Sequence, residues 1–564
     1  MTVGEQATLD EQPVDRTRWQ RIVDRLPRYG WSGTVVAVLL AGASYTPSLL
    51  PRAPLLQGLI AGITGAYAYG LGELVAWGVR KATKWRPSAA ARRRAWRVLW
   101  VVGGAYTLVM LVLGYRWQND LRALMGMSGG AAVEPVLIVV VGVLVFMGLV
   151  AVGRFLRTLT RWVLDRTLRR LPLWLARTVS VTVVVLLVVG FLSGVVFRTF
   201  VAVSNALFSV RDTTTAEGVV QPSSPERSGS PESVIPWSTL GYQGRTFVGL
   251  GPTQAQIASF SGQPAMQPIR VYAGLQSAST VHDRVQLVVR DLQRAGAFDR
   301  KALVVVTTTG TGWVDPASVD AVEYMLGGDT AIAAMQYSYL PSWISFLVDK
   351  SKAEEAGVAL FNGVYDAWSQ LPAGHRPQLY IFGESLGSFG GQSAFPTLAA
   401  MADRTDGAVL AGTPNFTDLW ATITEQRDAG SPERVPVYEQ GRTARFAAVP
   451  PDLAQPATPW SSPRVAYLQH SSDPIVWWSP KLLFERPDWL AEPRGPDVLP
   501  AMVWLPYITF WQVTADMVHS TGVPDGHGHV YKQEYVDGWA AVTQPTGWTP
   551  ADTERLRALI AKED

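Results

Sequence analysis

The chain has 564 residues, too many for one ordinary domain, and no cysteine, which excludes disulfides, thiolate nucleophiles and Cys-ligated zinc. Its net charge of +3 argues against a nucleic-acid partner, but the total hides two unlike halves. Residues 1–200 carry 24 basic and 9 acidic residues, a net of +15; the remainder carries 25 basic and 37 acidic, a net of −12.

Residues 1–30 hold five arginines and read as a cytoplasmic N-terminal segment. Within 31–200 five apolar stretches follow, Ser32–Leu50, Leu56–Val79, Val98–Tyr115, Val136–Val152 and Val179–Phe197. Each approaches the ~20 residues that cross a ~30 Å hydrocarbon core, so five transmembrane helices are expected. The first is too long for a removed signal peptide and lacks a small-residue cleavage site. Glu73 is the acid inside these stretches, close to one end, where a water-facing position is expected. Gly58 and Gly62 form a GxxxG suited to close helix contact.

Basic residues crowd alternate connections. One holds Arg80, Lys81, Lys84, Arg86, Arg92, Arg93, Arg94 and Arg97; another holds seven arginines from Arg154 to Arg177, readable as an amphipathic surface helix. The opposite connections hold only Arg52, Arg116 and Arg122, with Arg198 after the last stretch. The positive-inside rule then puts the N-terminus in the cytoplasm and everything after residue 200 outside, in a multi-pass plasma-membrane protein. No paired-charge ion pathway is evident, so an anchor or lipid-access role is favoured over transport.

Residues 201–236 read as an extracytoplasmic linker; within them RDTTTAEGVVQPSSPERSGSPESV, residues 211–234, has the composition of flexible, solvated chain. In 237–564, strands expected at Ile269–Tyr272, Ala302–Thr307, Thr330–Gln336, Gln378–Gly383, Ala408–Ala411 and Val465–Gln469 alternate with helices at Val281–Ala295, Ser318–Leu326 and Ser351–Leu371. That alternation predicts a mostly parallel sheet with helices on both faces.

Directly after strand QLYIFG comes Gly383-Glu384-Ser385-Leu386-Gly387. A G-x-S-x-G between strand and helix is a nucleophile elbow, with small flanks because the turn is tight, and Ser385 is the expected nucleophile. The acid and base should follow in that order. Asp473, in the loop after RVAYLQ, is the expected acid, and an Asp-Pro turn starter is its bland reading. The base is His527 or His529 in the Gly-rich run PDGHGHVY, with His529 preferred. His282 and His375 precede the nucleophile, and His519 lies in a helical pattern. The His-x-His pair lacks a third metal ligand, so neither metal nor cofactor is expected. The oxyanion hole should use the Leu386 amide plus one from Thr309, Gly310 or Thr311 in the loop after ALVVVT.

Together GESLGSFGG, TTTGTGWVDP, MQYSYLPSWISFLVD, YLQHSSDPIVWWSP, VPDGHGHVY and SYTPSLLPR resemble the actinobacterial membrane-anchored α/β-hydrolase family, over nearly the whole chain. The resemblance implies a polytopic N-terminal domain, a C-terminal catalytic domain and a triad of Ser385, Asp473 and a histidine of the GHGH run. It implies no substrate. An acyl ester, on a membrane or envelope lipid, is the expected substrate class, from the anchor and aromatic segments such as Leu340–Phe346 and Val476–Trp478. An acyltransferase using the same triad is the alternative, and a non-catalytic membrane scaffold the third reading. No oligomeric state follows from the sequence.

Overall fold

A computed structural model describes residues 29–84, 87–348 and 350–562. The N-terminal region is helical: α1 (Trp31–Ala43), α2 (Pro54–Thr83), α3 (Ala89–Leu124), α4 (Glu134–Thr167) and α5 (Leu173–Asp212). α2 to α5 are long and apolar enough to cross a membrane. The expectation of five such helices is therefore corrected to four plus a short one. α1 has 13 residues, about 20 Å at 1.5 Å per residue. It stops because Ser44–Leu50, with Pro47, leaves helical geometry and packs on the catalytic domain. There the Leu49 and Leu50 amides donate to the Asp516 carboxylate at 3.0 and 3.4 Å, and Gln512 Nε2 donates to the Thr46 carbonyl at 2.9 Å. This contact uses the SYTPSLLPR motif.

Glu73 has a structural partner. Its carboxylate accepts from the Gly33 amide at 3.0 Å, satisfying a donor in the first turn of α1 where the helix has none of its own acceptors. The Gly58/Gly62 pair faces α4. A Cβ on Gly58 would stand 2.7 Å from Val141 Cβ, and one on Gly62 2.6 Å from Val145 Cβ, so only glycine permits this approach. Arg154–Arg177 does not form a separate surface helix: it is the last part of α4, a turn, and the start of α5. Its apolar spacing simply continues the helix.

The long helices alternate in direction. One set of ends gathers at the catalytic domain. Arg122 pairs with Glu134 at 3.2 Å, Leu121 and Met125 join the catalytic domain's core, and Asp212 accepts from the Tyr242 amide at 3.0 Å and Gln336 Nε2 at 3.2 Å. The opposite ends carry Arg80, Lys81, Arg92–Arg94, Arg97, Arg166, Arg169 and Arg170. Trp31 Nε1, donating to the Ala95 carbonyl at 3.0 Å, puts the start of α1 at those basic ends. The first 28 residues, with their arginines, lie outside the described residues.

The region expected as a flexible linker is ordered. Arg227 bridges to Arg270 on the first strand, Ser228 and Ser233 donate to Asp291, and Ile235 is fully buried. The serines that read as solvated chain instead satisfy a buried carboxylate, which offsets the cost of burying both.

The catalytic domain is built on β1 (Ile269–Ala273), β2 (Ala302–Thr307), β3 (Thr330–Met335), β4 (Gln378–Glu384), β5 (Gly407–Ala411), β6 (Ala444–Ala447) and β7 (Arg464–Leu468). All pairs are parallel, in the order β1-β3-β2-β4-β5-β7-β6. The strands are apolar and almost wholly buried, as expected where helices cover both faces. Helices that surround the sheet include α6 (Val281–Arg294), α7 (Pro316–Met325), α8 (Lys350–Ser369), α9 (Leu386–Gln392), α10 (Pro474–Trp477), α11 (Ile508–Val518), α12 (Lys532–Thr543) and α13 (Pro550–Ile560). The register pairs Thr307 with Gly383, Glu384 with Ala411 and Ala411 with Leu468. The loops leaving β2, β4, β5 and β7 therefore meet at one edge of the sheet.

Candidate active site

Ser385, directly after β4, has φ +55° and ψ −124°, a conformation that non-glycine residues avoid and that costs about 1–3 kcal/mol. The surroundings hold it. Its amide donates to the Ala411 carbonyl at 2.9 Å, and the Phe389 amide returns to the Ser385 carbonyl at 3.1 Å. A Cβ on Gly387 would overlap the Thr307 carbonyl, and one on Gly383 would lie 2.5 Å from the Gly387 carbonyl oxygen, so both elbow glycines are demanded by space.

Asp473 caps α10: its Oδ1 accepts from the Ile475 amide at 2.8 Å. Both its readings, turn starter and acid, thus use the same carboxylate. The other oxygen, Oδ2, bonds His529 Nδ1 at 2.7 Å and accepts from the Tyr531 hydroxyl at 2.6 Å. The structure therefore joins Asp473 to His529. His527 faces another cluster, with Asp497, His470 and Glu534 around it, and burial pulls its pKa below 6.5. The His529 loop is tied to the Asp473 loop by Ser472 Oγ, which accepts from the Gly528 amide at 2.8 Å, and by His470 Nδ1 against the Gly528 carbonyl at 2.9 Å.

The imidazole packs against Gly412, just past β5, where a Cβ would overlap the ring. Its Nε2 stands 3.6 Å from Glu384 Oε1, in the residue before Ser385. Among the described residues neither His529 Nε2 nor Ser385 Oγ has a hydrogen-bond partner. Catalytic hydrogen bonds of this type tighten when substrate binds.

Burial works against a charged His529, but the Asp473 carboxylate and its hydrogen bond, then Glu384 and Asp315, outweigh it and raise its pKa above 6.5. Burial likewise raises the Glu384 carboxyl above the usual carboxylate range, opposed mainly by His529. A base must be neutral, so rate should rise with pH through the His529 pKa. Removing the Glu384 charge lowers that pKa, and Glu384→Gln is expected to move the acid limb of the kcat/KM profile to lower pH. An unmoved limb would remove Glu384 from the electrostatics of the base.

Leu386 opens α9, whose first-turn amides have no acceptor within the helix. In the other loop the Thr309 amide donates to the Trp313 carbonyl at 3.0 Å and the Gly310 amide to Ser342 Oγ at 3.3 Å. The Thr311 carbonyl accepts from Gln336 Nε2 at 3.0 Å. The backbone nearest the elbow is Thr307–Thr308, one residue before those three candidates. Among the described residues no group of three or more His, Asp or Glu is placed to hold a metal ion.

The family described as "Alpha/beta-hydrolase family" matches residues 269–556, and "Alpha/beta-hydrolase family N-terminus" matches residues 45–252. The chain belongs to this α/β-hydrolase family. No curated protein and no solved structure matches the chain. The N-terminal match takes in all four long helices and also residues 213–252, which include the Ser/Pro-rich stretch packed on the sheet. In this chain the two matched regions share a core rather than a tether.

Sequence reasoning missed Tyr531 and Gly412. Tyr531 stands two residues after His529 in the same motif, so it was within reach. Gly412 touches His529 only through the fold.

Proposed function

We propose that the protein is a membrane-anchored serine hydrolase that cleaves an acyl ester, with Ser385 as nucleophile, His529 as base and Asp473 as acid. The observation that carries this is the Asp473–His529 hydrogen bond of 2.7 Å beside a strained serine elbow. Ser385 Oγ attacks the acyl carbonyl while His529 Nε2 takes its proton. Asp473 holds Nδ1–H, fixing the tautomer and steadying the imidazolium. The Leu386 amide and an amide of the Thr308–Thr311 backbone receive the oxyanion. His529 then protonates the leaving alcohol; water attacks the acyl-enzyme, giving its proton to His529, which passes it to Ser385 Oγ as the acyl–Oγ bond breaks and the carboxylic acid leaves.

Anchoring rests on the four long apolar helices. Their basic ends lie opposite the ends that meet the catalytic domain. With positive-inside orientation this puts the N-terminus in the cytoplasm and the active site outside the plasma membrane. Membrane lipids are the surrounding partners and an ester on a lipid the substrate class.

Purified full-length protein in phosphatidylcholine vesicles should release free fatty acid from a long-chain acyl ester. Acyl product appearing only on an added acceptor alcohol would instead make it an acyltransferase. Formation of no product in either assay would refute the serine-hydrolase reading.

A further inference from the structure

The catalytic domain reaches far along one of the apolar helices. Tyr507, at the start of α11, stacks on Tyr67 of α2 with ring centroids 3.9 Å apart. Tyr67 lies 13 residues beyond Pro54, about 20 Å along a helix that rises 1.5 Å per residue. Tyr67 is also 13 residues from Arg80 at the basic end of the helix, about 20 Å, so a ~30 Å hydrocarbon core that starts at Arg80 includes it. Tyr67 is 43% exposed on the face that also bears Leu59 and Leu71, both exposed. The partner of a lipid-facing residue at that depth must itself border lipid.

Around Tyr507 the catalytic domain has an apolar tip. Phe484 is 77% exposed and Val503 44% exposed, with Pro506 exposed between them. The Tyr507 amide donates to the Leu483 carbonyl at 3.0 Å, which fixes Phe484 beside it. Two further polar groups of the tip are met internally, as hydrocarbon favours. Trp504 Nε1 donates to the Leu482 carbonyl at 3.0 Å, and the Leu505 amide to Thr509 Oγ1 at 2.8 Å. Arg486, two residues after Phe484, donates through Nη2 to the Leu490 carbonyl at 2.7 Å.

A row of rings connects this tip to the nucleophile. Phe389 of α9 meets Phe416 at 5.3 Å, Phe416 meets Phe346 at 5.0 Å, and Phe346 meets Trp478 at 5.6 Å. Trp478 meets Phe510 at 5.8 Å, Phe510 meets Trp511 at 5.2 Å, and Trp511 meets Tyr507 at 6.2 Å. Most of these rings are half-buried, so the row offers apolar surface from Tyr67 to the helix that Ser385 begins. Lys350 Nζ stands 3.3 Å from the Phe416 ring centroid, a cation at the nucleophile end of the row.

We propose that the tip formed by Phe484 and Val503–Tyr507 is inserted in the bilayer leaflet beside α2, so that an acyl substrate reaches Ser385 from lipid along this aromatic row. The occupant of the exposed tip is thus the acyl region of the membrane. The continuity with Tyr67 commits the tip to lipid rather than to a second copy or a soluble partner. The route to Ser385 rests on the hydrolase reading; the insertion does not.

The chain has no cysteine, so one introduced thiol reports one place. Phe484→Cys carrying an environment-sensitive fluorophore, in full-length protein in phosphatidylcholine vesicles, should lose about half or more of its emission to doxyl groups on the acyl chains. Lys301→Cys, at the opposite edge of the sheet, should lose none. Equal and negligible quenching at both sites would overturn the insertion. Phe484→Asp should lower turnover of a bilayer-borne long-chain ester roughly tenfold, the worth of one buried aromatic side chain, and leave turnover of a short soluble ester unchanged. Equal loss on both esters, or on neither, would overturn the lipid route. Quenching at residue 484 in a protein that turns over neither ester would uphold the insertion and refute the hydrolase reading instead.

Discussion

His529→Gln is expected to lower ester turnover roughly 10⁴-fold, while His527→Gln stays within about threefold of wild type. The two histidines stand two residues apart in one glycine-rich loop, so sequence gives little to separate them. Their surroundings do. His529 Nδ1 is held by Asp473 at 2.7 Å, which leaves Nε2 as the free base. His527 has no such carboxylate bond and is the more exposed of the two. Glutamine is close to isosteric with the ring's reach but cannot take a proton, so folding should survive the exchange. Steady-state kinetics on a soluble ester checks both variants. A large loss in His527→Gln with an active His529→Gln would reverse the assignment.

Asp473→Asn is expected to cost about 10⁴-fold as well, with little change in KM. The amide can still accept from the Ile475 amide and so cap α10. Toward His529, however, it presents either a donor or a weaker acceptor. The imidazole then settles in a tautomer whose Nε2 bears the proton, and the base is lost. Tyr531 does not prevent this: its hydroxyl, which donates to Oδ2 at 2.6 Å, can turn to accept from the amide instead. Combining Asp473→Asn with His529→Gln should cost no more than the worse single change, since the residues act as a unit. Additive losses in kcat would show that they do not.

The sheet was largely readable because its strands are apolar runs between turn residues. All six expected strands occur, within a residue or two at the ends. β6 escaped because it is four residues, Ala-Arg-Phe-Ala, with an arginine at its centre. Arg445 is buried there only because carbonyls of Gly441, Leu453 and Thr458 accept from its guanidinium, which no local pattern announces. The first apolar stretch misled for a related reason. Ser44–Leu50 is apolar enough to extend a span, but its amides are claimed by Asp516, more than 460 residues away. The Ser/Pro-rich stretch misled by composition, since its serines face Asp291 rather than water.

The site divides along the same line. The elbow is local, so its strand, strained serine and glycines could be read as a motif. Asp473 could be placed because it follows a strand in the expected chain order. The contact of Glu384 with His529 and the packing of the ring on Gly412 depend on three loops meeting at one sheet edge. They follow from the register of β4, β5 and β7 and from nothing nearby in sequence.

The account stands most directly on Ser385 being an activated nucleophile. Full-length protein treated with a fluorophosphonate and digested for mass spectrometry should carry one adduct, on the peptide containing Gly383–Gly387, and Ser385→Ala should carry none. Absence of an adduct on the wild type, or an adduct that persists in Ser385→Ala, would contradict it.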